Sequence, residues 1–354
     1  MYKRQFVILS YYSVVGGWCV KYLFDSLCGE LVTNDPKVLQ ATFGALVGAG
    51  LTNSLWHFSF LTLTCGVVAL GVVNGIERLS KYLLPTLFIL MIVIMIRSLS
   101  LPGAMEGVKF LFMPRWEDFS GSALFNAMGF CFFSLSLGAG TMITYGTYLS
   151  DKANLPGSVG WVAVLAILSS LLGGLMVMPA VFAFGLDPAA GPGLTFVTMP
   201  AIFAKMPMGQ LFAVFFYVCL VVAALTSSVS MLEACTALLS KEFNLPRRTA
   251  IFTTVAGAAV VGLIANLSFG AWSDVKFFGK NIFDLLDFVT SNVGMPLSTF
   301  GIAIAAAWVA WPVMRNQLNY EGGVSDSWLK AARILIGVIS PLFVLIVALG
   351  GLFG

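Results

Sequence analysis

Charged residues are scarce in this 354-residue chain. Lys and Arg number 19, Asp and Glu number 16, and together they form 10% of the sequence, whereas 59% is hydrophobic. A soluble domain carries roughly 25% charged residues, so the scarcity excludes an ordinary soluble protein. The net charge of +3 is small and spread over loops, which indicates no nucleic-acid partner. The composition therefore predicts an all-α integral membrane protein.

Patterns for metal binding and catalysis are also lacking. The six cysteines stand singly in or beside apolar runs, without a CxxC pair, and indicate neither a metal site nor a disulfide framework. The single histidine, His57, is expected at a helix end in an interfacial role. No HExxH, nucleophile elbow or phosphate loop occurs. We therefore expect no enzyme, no catalytic residues and no organic cofactor.

Long apolar runs are abundant instead. A helix needs about 20 apolar residues to cross a hydrocarbon core of ~30 Å. Alternate loops differ slightly in Lys and Arg, which places loops 74–81 and 241–248, together with Arg315, Lys330 and Arg333, in the cytoplasm. The nine predicted spans are about 6–30, 55–75, 81–99, 122–150, 157–184, 208–240, 247–268, 283–312 and 331–353.

The first five residues, MYKRQ, differ from the apolar segment that follows. The tetrapeptide YKRQ can be encoded by TATAAGAGACAG, the end sequence of a transposon used to build sequencing libraries. We therefore expect residues 1–5 to be non-native and the natural chain to extend upstream. The alternative is a short native basic start. A stop codon and a ribosome-binding site just upstream in the genomic DNA would favour that alternative.

Serines and glycines interrupt one predicted span, in the stretch FFSLSLGAGTMITYG. In lipid, a spanning helix stays intact unless a break lines a protein cavity, because every backbone group needs a hydrogen-bond partner. Gly138 and Gly140 permit non-helical torsions, and Ser134, Ser136 and Thr141 can complete the hydrogen bonds that a break frees. The pattern favours an unwound helix that binds Na⁺ and a charged ligand. The alternative is close helix packing through small residues.

A second polar cluster lies in the stretch AALTSSVSMLEA. The hydroxyls of Thr226 and Ser227, with the carbonyl of Ala223 one turn earlier, put three oxygens on one helix face. Hard oxygens in apolar surroundings suit an alkali cation; the alternative is that the hydroxyls bond back to the preceding turn. Glu233 is an ionisable group at membrane depth, where such groups are usually functional, unless it lies close enough to the cytoplasm to be solvated.

Three further stretches have two interpretations each. In YYSVVGGW, Tyr12 either closes over a ligand or packs as an ordinary tyrosine. In FDLLDF, Asp284 and Asp287 lie at the outer end of a span, where they are solvated or one of them gates access. Residues 185–207 begin with turn signals and become amphipathic, which is typical of a re-entrant hairpin or of an ordinary extracellular loop.

Five stretches occur together and in order: YYSVVGGW, NGIERLSKYLLPTLFIL, FFSLSLGAGTMITYGTYLS, LTFVTMPAIFAKMP and LTSSVSMLEA. This combination resembles the neurotransmitter:sodium symporter family, in particular its bacterial amino-acid transporters, over residues 6–354. The resemblance implies the five-plus-five inverted-repeat transporter fold, truncated by two helices at its N-terminus. Residues 6–99 would form helices three to five of the first repeat, 122–312 the second repeat, and 331–353 the final helix.

The resemblance also implies ion-binding residues, which are incomplete without the missing first helix. Ala223, Thr226 and Ser227 resemble the second sodium site, and Ser134 resembles a ligand of the first. Residues 165–168 read LAIL where the family usually has an Asn or Asp ligand, which puts the first sodium site in question. We predict no chloride site, because Phe130 stands where the chloride-binding animal members have glutamine.

The substrate site follows from the same resemblance. Tyr12 would bond the substrate carboxylate, and Asp287 resembles the outer-gate acid, whose arginine partner lies on the missing helix. Ala139 stands where relatives carry a larger Phe or Met, and the added space beside Phe133 favours a bulky apolar or aromatic amino acid. The residues that would line the side-chain pocket are Ile8, Phe133, Ser136, Ala139, Ser228 and Met231.

The resemblance thus implies sodium-coupled symport of an amino acid by alternating access in the cell inner (plasma) membrane, with Na⁺ as the coupling ion. The 354-residue chain alone is expected to be inactive, because half of its binding site is missing. The alternative is a sodium-independent transporter or a non-transporting amino-acid sensor on the same fold. A membrane enzyme is a remote third, and a homodimer is compatible with the sequence, which does not decide the oligomeric state.

Overall fold

A computed structural model describes residues 2–31, 35–138, 140–150, 153–186, 188, 193–319 and 324–353. In these residues the regular structure is helical, with one isolated β-bridge between Phe277 and Lys280. The predicted all-α class is confirmed. The helices are α1 (Tyr2–Cys28), α2 (Pro36–Gly48), α3 (Gly50–Ala69), α4 (Arg78–Leu99), α5 (Ala104–Phe112), α6 (Gly121–Ser134), α7 (Thr141–Gly146), α8 (Leu155–Ala183), α9 (Met199–Lys205), α10 (Gly209–Glu242), α11 (Arg247–Leu267), α12 (Ile282–Asp287), α13 (Met295–Ile304), α14 (Trp311–Leu318), α15 (Asp326–Ile334) and α16 (Ser340–Phe353).

Seven helical segments in the described residues are long and apolar enough to cross a bilayer. Each coincides with one of the nine predicted spans. Several of these segments continue from one α-helix to the next through a π-helical turn. They are Arg4–Cys28, Gly75–Leu99, Leu155–Ala183, Gly209–Glu242, Arg247–Leu267, Ile282–Val309 and Asp326–Ile346.

The two other predicted spans have a different form. Span 55–75 coincides with α3, a 20-residue helix whose Asn, Ser, His and Thr side chains lower its hydropathy. Span 122–150 is divided between α6 and α7. The predicted loop at 74–81 is wrong, because the chain turns at Gly71, with φ of 90°, and then continues as a π turn into α4. The total helix count of the natural protein stays a prediction.

The chain divides into two compact units. Unit 1 comprises Met1–Ile8, Arg115–Ile167 and Leu285–Gly354, and in it α13 packs against α16 and α16 against α6. Unit 2 comprises Leu9–Pro114 and Leu168–Asp284, and in it α10 packs against α3, α4 and α11. These two units are defined by contacts and do not correspond to the two expected repeats, 6–99 and 122–312, which are related by internal symmetry. The division into repeats stays a prediction.

Aromatic rings form much of the core of unit 2. Trp18 of α1 lies edge-on to Phe43, Phe196 and Phe269, with ring centroids 5.4–5.8 Å apart. Such edge-to-face pairs contribute about 0.5–1.5 kcal/mol beyond the area they bury. Phe196 belongs to the segment predicted as a re-entrant hairpin or an outer loop. In that segment a π turn (Leu194–Thr198) and α9 (Met199–Lys205) are helical, and several of their side chains are buried in unit 2.

Polar side chains link the helices of unit 2. His57 is fully buried, with Nδ1 3.0 Å from the Ser13 hydroxyl and Nε2 3.4 Å from the Ala259 carbonyl oxygen. The predicted interfacial position of His57 is therefore wrong. Ser13 Oγ also lies 2.8 Å from the Ser10 carbonyl oxygen, so its single proton is shared between that carbonyl and Nδ1, while Nε2 of a neutral imidazole donates to the Ala259 carbonyl. The ring thereby connects α1, α3 and α11.

Glu233 is fully buried as well and does not contact solvent. Its two carboxylate oxygens accept hydrogen bonds from Arg247 at 2.9 and 2.6 Å, and Arg247 also donates to the Val68 carbonyl at 3.2 Å. The bidentate pair neutralises the buried charge of Glu233. Through these hydrogen bonds Arg247 of α11 connects α10 with α3. The solvated alternative for Glu233 does not apply to this structure.

We expect Gly17→Ala to lower the thermal unfolding midpoint of the detergent-purified chain. A methyl group on Gly17 would lie 2.7 Å from the His57 backbone nitrogen and from the Trp56 carbonyl carbon. Backbone atoms cannot give way as a flexible side chain can, so overpacking should cost about 1–3 kcal/mol.

Gly66→Ala is the matched control, since Gly66 lies in α3 with no atom within 4 Å of an added methyl group. Its midpoint should be unchanged or slightly higher, because alanine favours a helix. Equal midpoints for the two variants would contradict close packing of α1 on α3.

Candidate ion and substrate site

The predicted break in the serine-rich span is present in unit 1. Helix α6 ends at Ser134 and α7 begins at Thr141. The end of α6 resembles a Schellman motif, because the Leu137 amide donates to the Phe132 carbonyl at 2.9 Å and Ser136 has a φ of 52°. Glycine usually occupies this left-handed position, which costs other residues about 1–2 kcal/mol. A serine held there is a candidate functional residue.

Two glycines complete the break, as their sequence positions predict. Gly138 has a φ of 74° and Gly140 a φ of 91°, both in the left-handed region. A methyl group on Gly138 would also lie 2.5 Å from the Met295 carbonyl oxygen and 3.1 Å from the Thr299 amide nitrogen. Glycine at position 138 therefore allows the left-handed turn and also lets the backbone of the break lie close to α13.

The first turn of α1 contacts the break. Arg4 Nη2 donates to the Gly138 carbonyl at 3.1 Å, and Gln5 Nε2 donates to the Thr141 hydroxyl at 2.8 Å. Arg4 Nη1 and Gln5 Oε1 are buried without a hydrogen-bond partner, and such atoms cost about 1–3 kcal/mol each.

A cavity of about 570 Å³ lies beside the break within unit 1. Its wall is mostly apolar and includes the hydroxyl-bearing residues Ser136, Thr299 and Ser340. This volume lies in the usual range of small-molecule pockets. Ser136 therefore faces a space large enough for a ligand, whereas the rest of the wall comes from residues to which the resemblance assigns no substrate role.

In unit 2, the three predicted sodium-ligand oxygens share one face of α10. The Thr226 hydroxyl donates to the carbonyls of Ala223 at 3.0 Å and Val222 at 3.1 Å, so it does bond back to the preceding turn. A hydroxyl that donates its proton in this way keeps its lone pairs as acceptors. Back-bonding and cation binding by Thr226 are therefore compatible. Ser227 is exposed on the same helix.

Tyr12 of α1 shares a side-chain hydrogen bond with Ser227. The residue predicted to hold the substrate carboxylate thus contacts a predicted sodium ligand within one unit.

Two predicted pocket residues on α10 differ in their surroundings. Ser228 is fully buried, donates to the Leu225 carbonyl at 3.0 Å, and lies 2.8 Å from the Thr64 hydroxyl oxygen of α3. Its hydroxyl therefore faces α3. Met231, one turn further along α10, is half-buried. The substrate role of both residues stays a prediction.

The remaining predicted residues belong to unit 1. Ser134 is exposed at the end of α6, and Ile8 is buried in α1. The side chain of Phe133 and all of Ala139 lie outside the described residues. Asp287 is half-buried at the end of α12, where its Oδ1 accepts a hydrogen bond from the Ser291 hydroxyl at 2.9 Å.

Residues 165–168, where the family resemblance leads us to expect an Asn or Asp ligand of the first sodium site, lie in α8. Leu165 and Leu168 are exposed there, and their side chains offer no oxygen to a cation. The described structure therefore gives no replacement for that ligand at residues 165–168.

Together, the spans, the unwound helix and the hydroxyl-rich face of α10 define the class of protein. Spanning helices broken at a ligand site are typical of secondary transporters with inverted repeats. Comparisons with known proteins identify the family. The profile of the sodium:neurotransmitter symporter family matches residues 50–353.

Individual relatives match almost the whole chain. The sodium-dependent transporter YhdH of Bacillus subtilis is 38% identical over 97% of this chain and 76% of its own length. A sodium-dependent transporter of Haemophilus influenzae is 33% identical over 98% of this chain and 77% of its own. Among solved structures, the crystal structure of MhsT in complex with L-phenylalanine matches this chain with a TM-score of 0.90. The two sequences are 37% identical, and the match covers 99% of this chain and 79% of the MhsT chain.

The chain belongs to the sodium:neurotransmitter symporter family. The predicted family and transporter fold are confirmed. Its relatives are sodium-dependent transporters and not enzymes, and Na⁺ is their coupling ion.

We expect Gly138→Ala to lower the thermal unfolding midpoint strongly. The left-handed backbone costs alanine about 1–2 kcal/mol, and the contact with the Met295 carbonyl adds to that. Gly146→Ala in α7 is the control, because an added methyl group there meets no atom within 4 Å. Similar midpoints for both variants would show that the break does not depend on Gly138.

Proposed function

We propose that the natural protein is a symporter that couples Na⁺ entry to the uptake of an amino acid by alternating access. The proposal is carried by the hydroxyl face of α10. There, Thr226 lies 3.0 Å from the Ala223 carbonyl oxygen, and the neighbouring Ser227 bonds to Tyr12. These oxygens supply part of a sodium site and, through Tyr12, a donor for a substrate carboxylate. No covalent chemistry is needed.

The proposed substrate is an amino acid with a bulky apolar or aromatic side chain. One observation that supports it is L-phenylalanine in the crystal structure of MhsT, which is 37% identical to this chain. The second is the small residue Ala139 where relatives carry Phe or Met. The proposed lining residues are Ile8, Phe133, Ser136, Ala139, Ser228 and Met231.

The proposed roles follow from the donor atoms. Ala223, Thr226 and Ser227 would coordinate Na⁺, and Ser134 would contribute its carbonyl and hydroxyl oxygens to a first sodium site. Asp287 would gate the outer side. The protein would lie in the cell inner (plasma) membrane with several spans and would be able to form a homodimer.

We further propose that the 354-residue chain is inactive alone. The oxygens of Ala223, Thr226, Ser227 and Ser134 would fill only part of the coordination shell of each cation, and further ligands would come from residues upstream. The alternative function is a sodium-independent transporter or an amino-acid sensor on the same fold. The apolar residues at 165–168, which offer no cation ligand, favour that alternative.

We expect Na⁺ to stabilise a chain that is extended upstream in the source DNA to include two further helices. Replacing KCl by NaCl at constant ionic strength should raise its thermal midpoint, since a tenfold excess of ligand over Kd adds about 1.4 kcal/mol. Thr226→Val should abolish the shift because it removes a ligand oxygen. The 354-residue chain should show little or no shift.

Thr62→Val is the matched control. Thr62 is also a helical threonine whose hydroxyl bonds back to the carbonyl four residues earlier, at 2.8 Å, but it is exposed on α3. It should keep the full Na⁺ shift. Equal stabilisation by Na⁺ and K⁺ in the extended chain would favour the sodium-independent alternative. If Thr226→Val and Thr62→Val both lost the shift, the effect would not be specific to Thr226, and its role as a sodium ligand would be contradicted.

We expect proteoliposomes that contain the extended chain to accumulate radiolabelled L-phenylalanine when a Na⁺ gradient is imposed. Tyr12→Phe should reduce uptake at least tenfold, because a lost hydrogen bond to a charged group is worth about 1.5–3 kcal/mol. Binding without uptake would favour the sensor. Uptake of small or charged amino acids in preference to phenylalanine would contradict the proposed substrate class.

A further inference from the structure

Two π-helical turns of unit 1 lie against each other at the ends of two spans. One covers Ala305–Val309, after α13, and the other Leu335–Ile339, before α16. A π turn shifts the backbone hydrogen bonds from i→i+4 to i→i+5. Here Pro341, four residues after Gly337, and Pro312, five residues after Ala307, have no N–H to donate to those carbonyls. In lipid, such a carbonyl needs another partner.

The partners are two side chains that cross between the turns. Trp308 Nε1 donates to the Gly337 carbonyl at 3.0 Å, and Arg333 Nε donates to the Ala307 carbonyl at 3.1 Å. The backbones approach closely enough that a methyl group on Gly337 would lie 2.6 Å from Ala307 Cβ. The reciprocal bonds fix both the tryptophan ring and the plane of the guanidinium group.

The guanidinium group of Arg333 lies within cation–π distance of two tryptophan rings. Its central carbon lies 5.8 Å from the Trp308 ring centroid and 5.5 Å from that of Trp311. Arg333 is nevertheless exposed, and its two Nη groups, unlike Nε, have no bond to the π turn. Lys330 lies three residues earlier on α15, on the same helix side, and is exposed too.

The segment 311–340 carries a small excess of positive charge. Its cations are Arg315, Lys330 and Arg333, and its acids are Asp326 and Glu321, of which Glu321 lies outside the described residues. Asp326 is paired with Arg315 at 2.9 Å. The excess charge therefore lies at Lys330 and Arg333, and its natural counterpart is an anion.

We propose that Arg333 and Lys330 bind the phosphate group of an anionic phospholipid in the cytoplasmic leaflet. A guanidinium fork matches phosphate geometry, and tryptophans prefer the headgroup boundary of a membrane. Trp308 is 61% exposed at the end of the apolar segment Ile282–Val309, which fits contact with lipid. The predicted orientation puts this end in the cytoplasm, where anionic lipids concentrate.

The test is native mass spectrometry of the purified 354-residue chain with equal amounts of phosphatidylglycerol and phosphatidylcholine. The phosphatidylglycerol adduct should predominate. Lys330→Gln should lower its binding constant about fivefold, which corresponds to about 1 kcal/mol per cation near an anionic surface. Lys241→Gln, at an exposed cation near the end of α10 and on the same predicted side, should leave the constant unchanged.

Two further variants separate binding from folding, and each is compared with wild type by its thermal midpoint. Arg333→Lys keeps the charge but loses the planar fork, so it should weaken the adduct more than Lys330→Gln does. Trp308→Phe keeps a ring but loses the Gly337 bond, and should lower the midpoint.

Equal binding of the two lipids would overturn the proposal, as would equal effects of Lys330→Gln and Lys241→Gln. Complete displacement of phosphatidylglycerol by equimolar inorganic phosphate would also overturn it, because the site would then recognise a free anion and not a lipid.

Discussion

The structure depends on one constraint: a backbone group that leaves the helical pattern inside a membrane needs a partner from the protein. At the end of α6 that partner is local, because the Leu137 amide reaches back to Phe132 across the left-handed Ser136. At the paired π turns it comes from side chains, Trp308 and Arg333, each bonded to a carbonyl of the opposite turn. In both places, the backbone groups freed by the irregular helix find hydrogen-bond partners within the protein.

The same constraint governs polar side chains in unit 2. His57 and Glu233 are fully buried, yet each is hydrogen-bonded to side chains or carbonyls of other helices. Their contacts tie α3 to α1, α10 and α11. Ser134 and Ser227 differ from them, since both are exposed at positions where the family resemblance expects an ion.

Much of the candidate site was predictable because its signals are local. Gly138 and Gly140 next to serines indicate a break wherever they occur in a span, and both adopt positive φ angles. The spacing of Ala223, Thr226 and Ser227 puts three oxygens on one face of any helix. Partners from other helices were not predictable, because they depend on which helix faces meet. Pattern alone did not show that Thr64 would engage Ser228, at 2.8 Å.

The sequence by itself determined that this is a helical membrane protein, where most of its spans run, where one helix breaks, and to which family it belongs. These properties follow from composition, apolar run length and short motifs, which do not require knowledge of neighbours. Tertiary structure alone decided that His57 is buried and not interfacial, that residues 74–81 are helical and not a loop, and that Glu233 is paired with Arg247. The physical reason is that burial and pairing are set by packing between segments distant in sequence, which a local pattern does not contain.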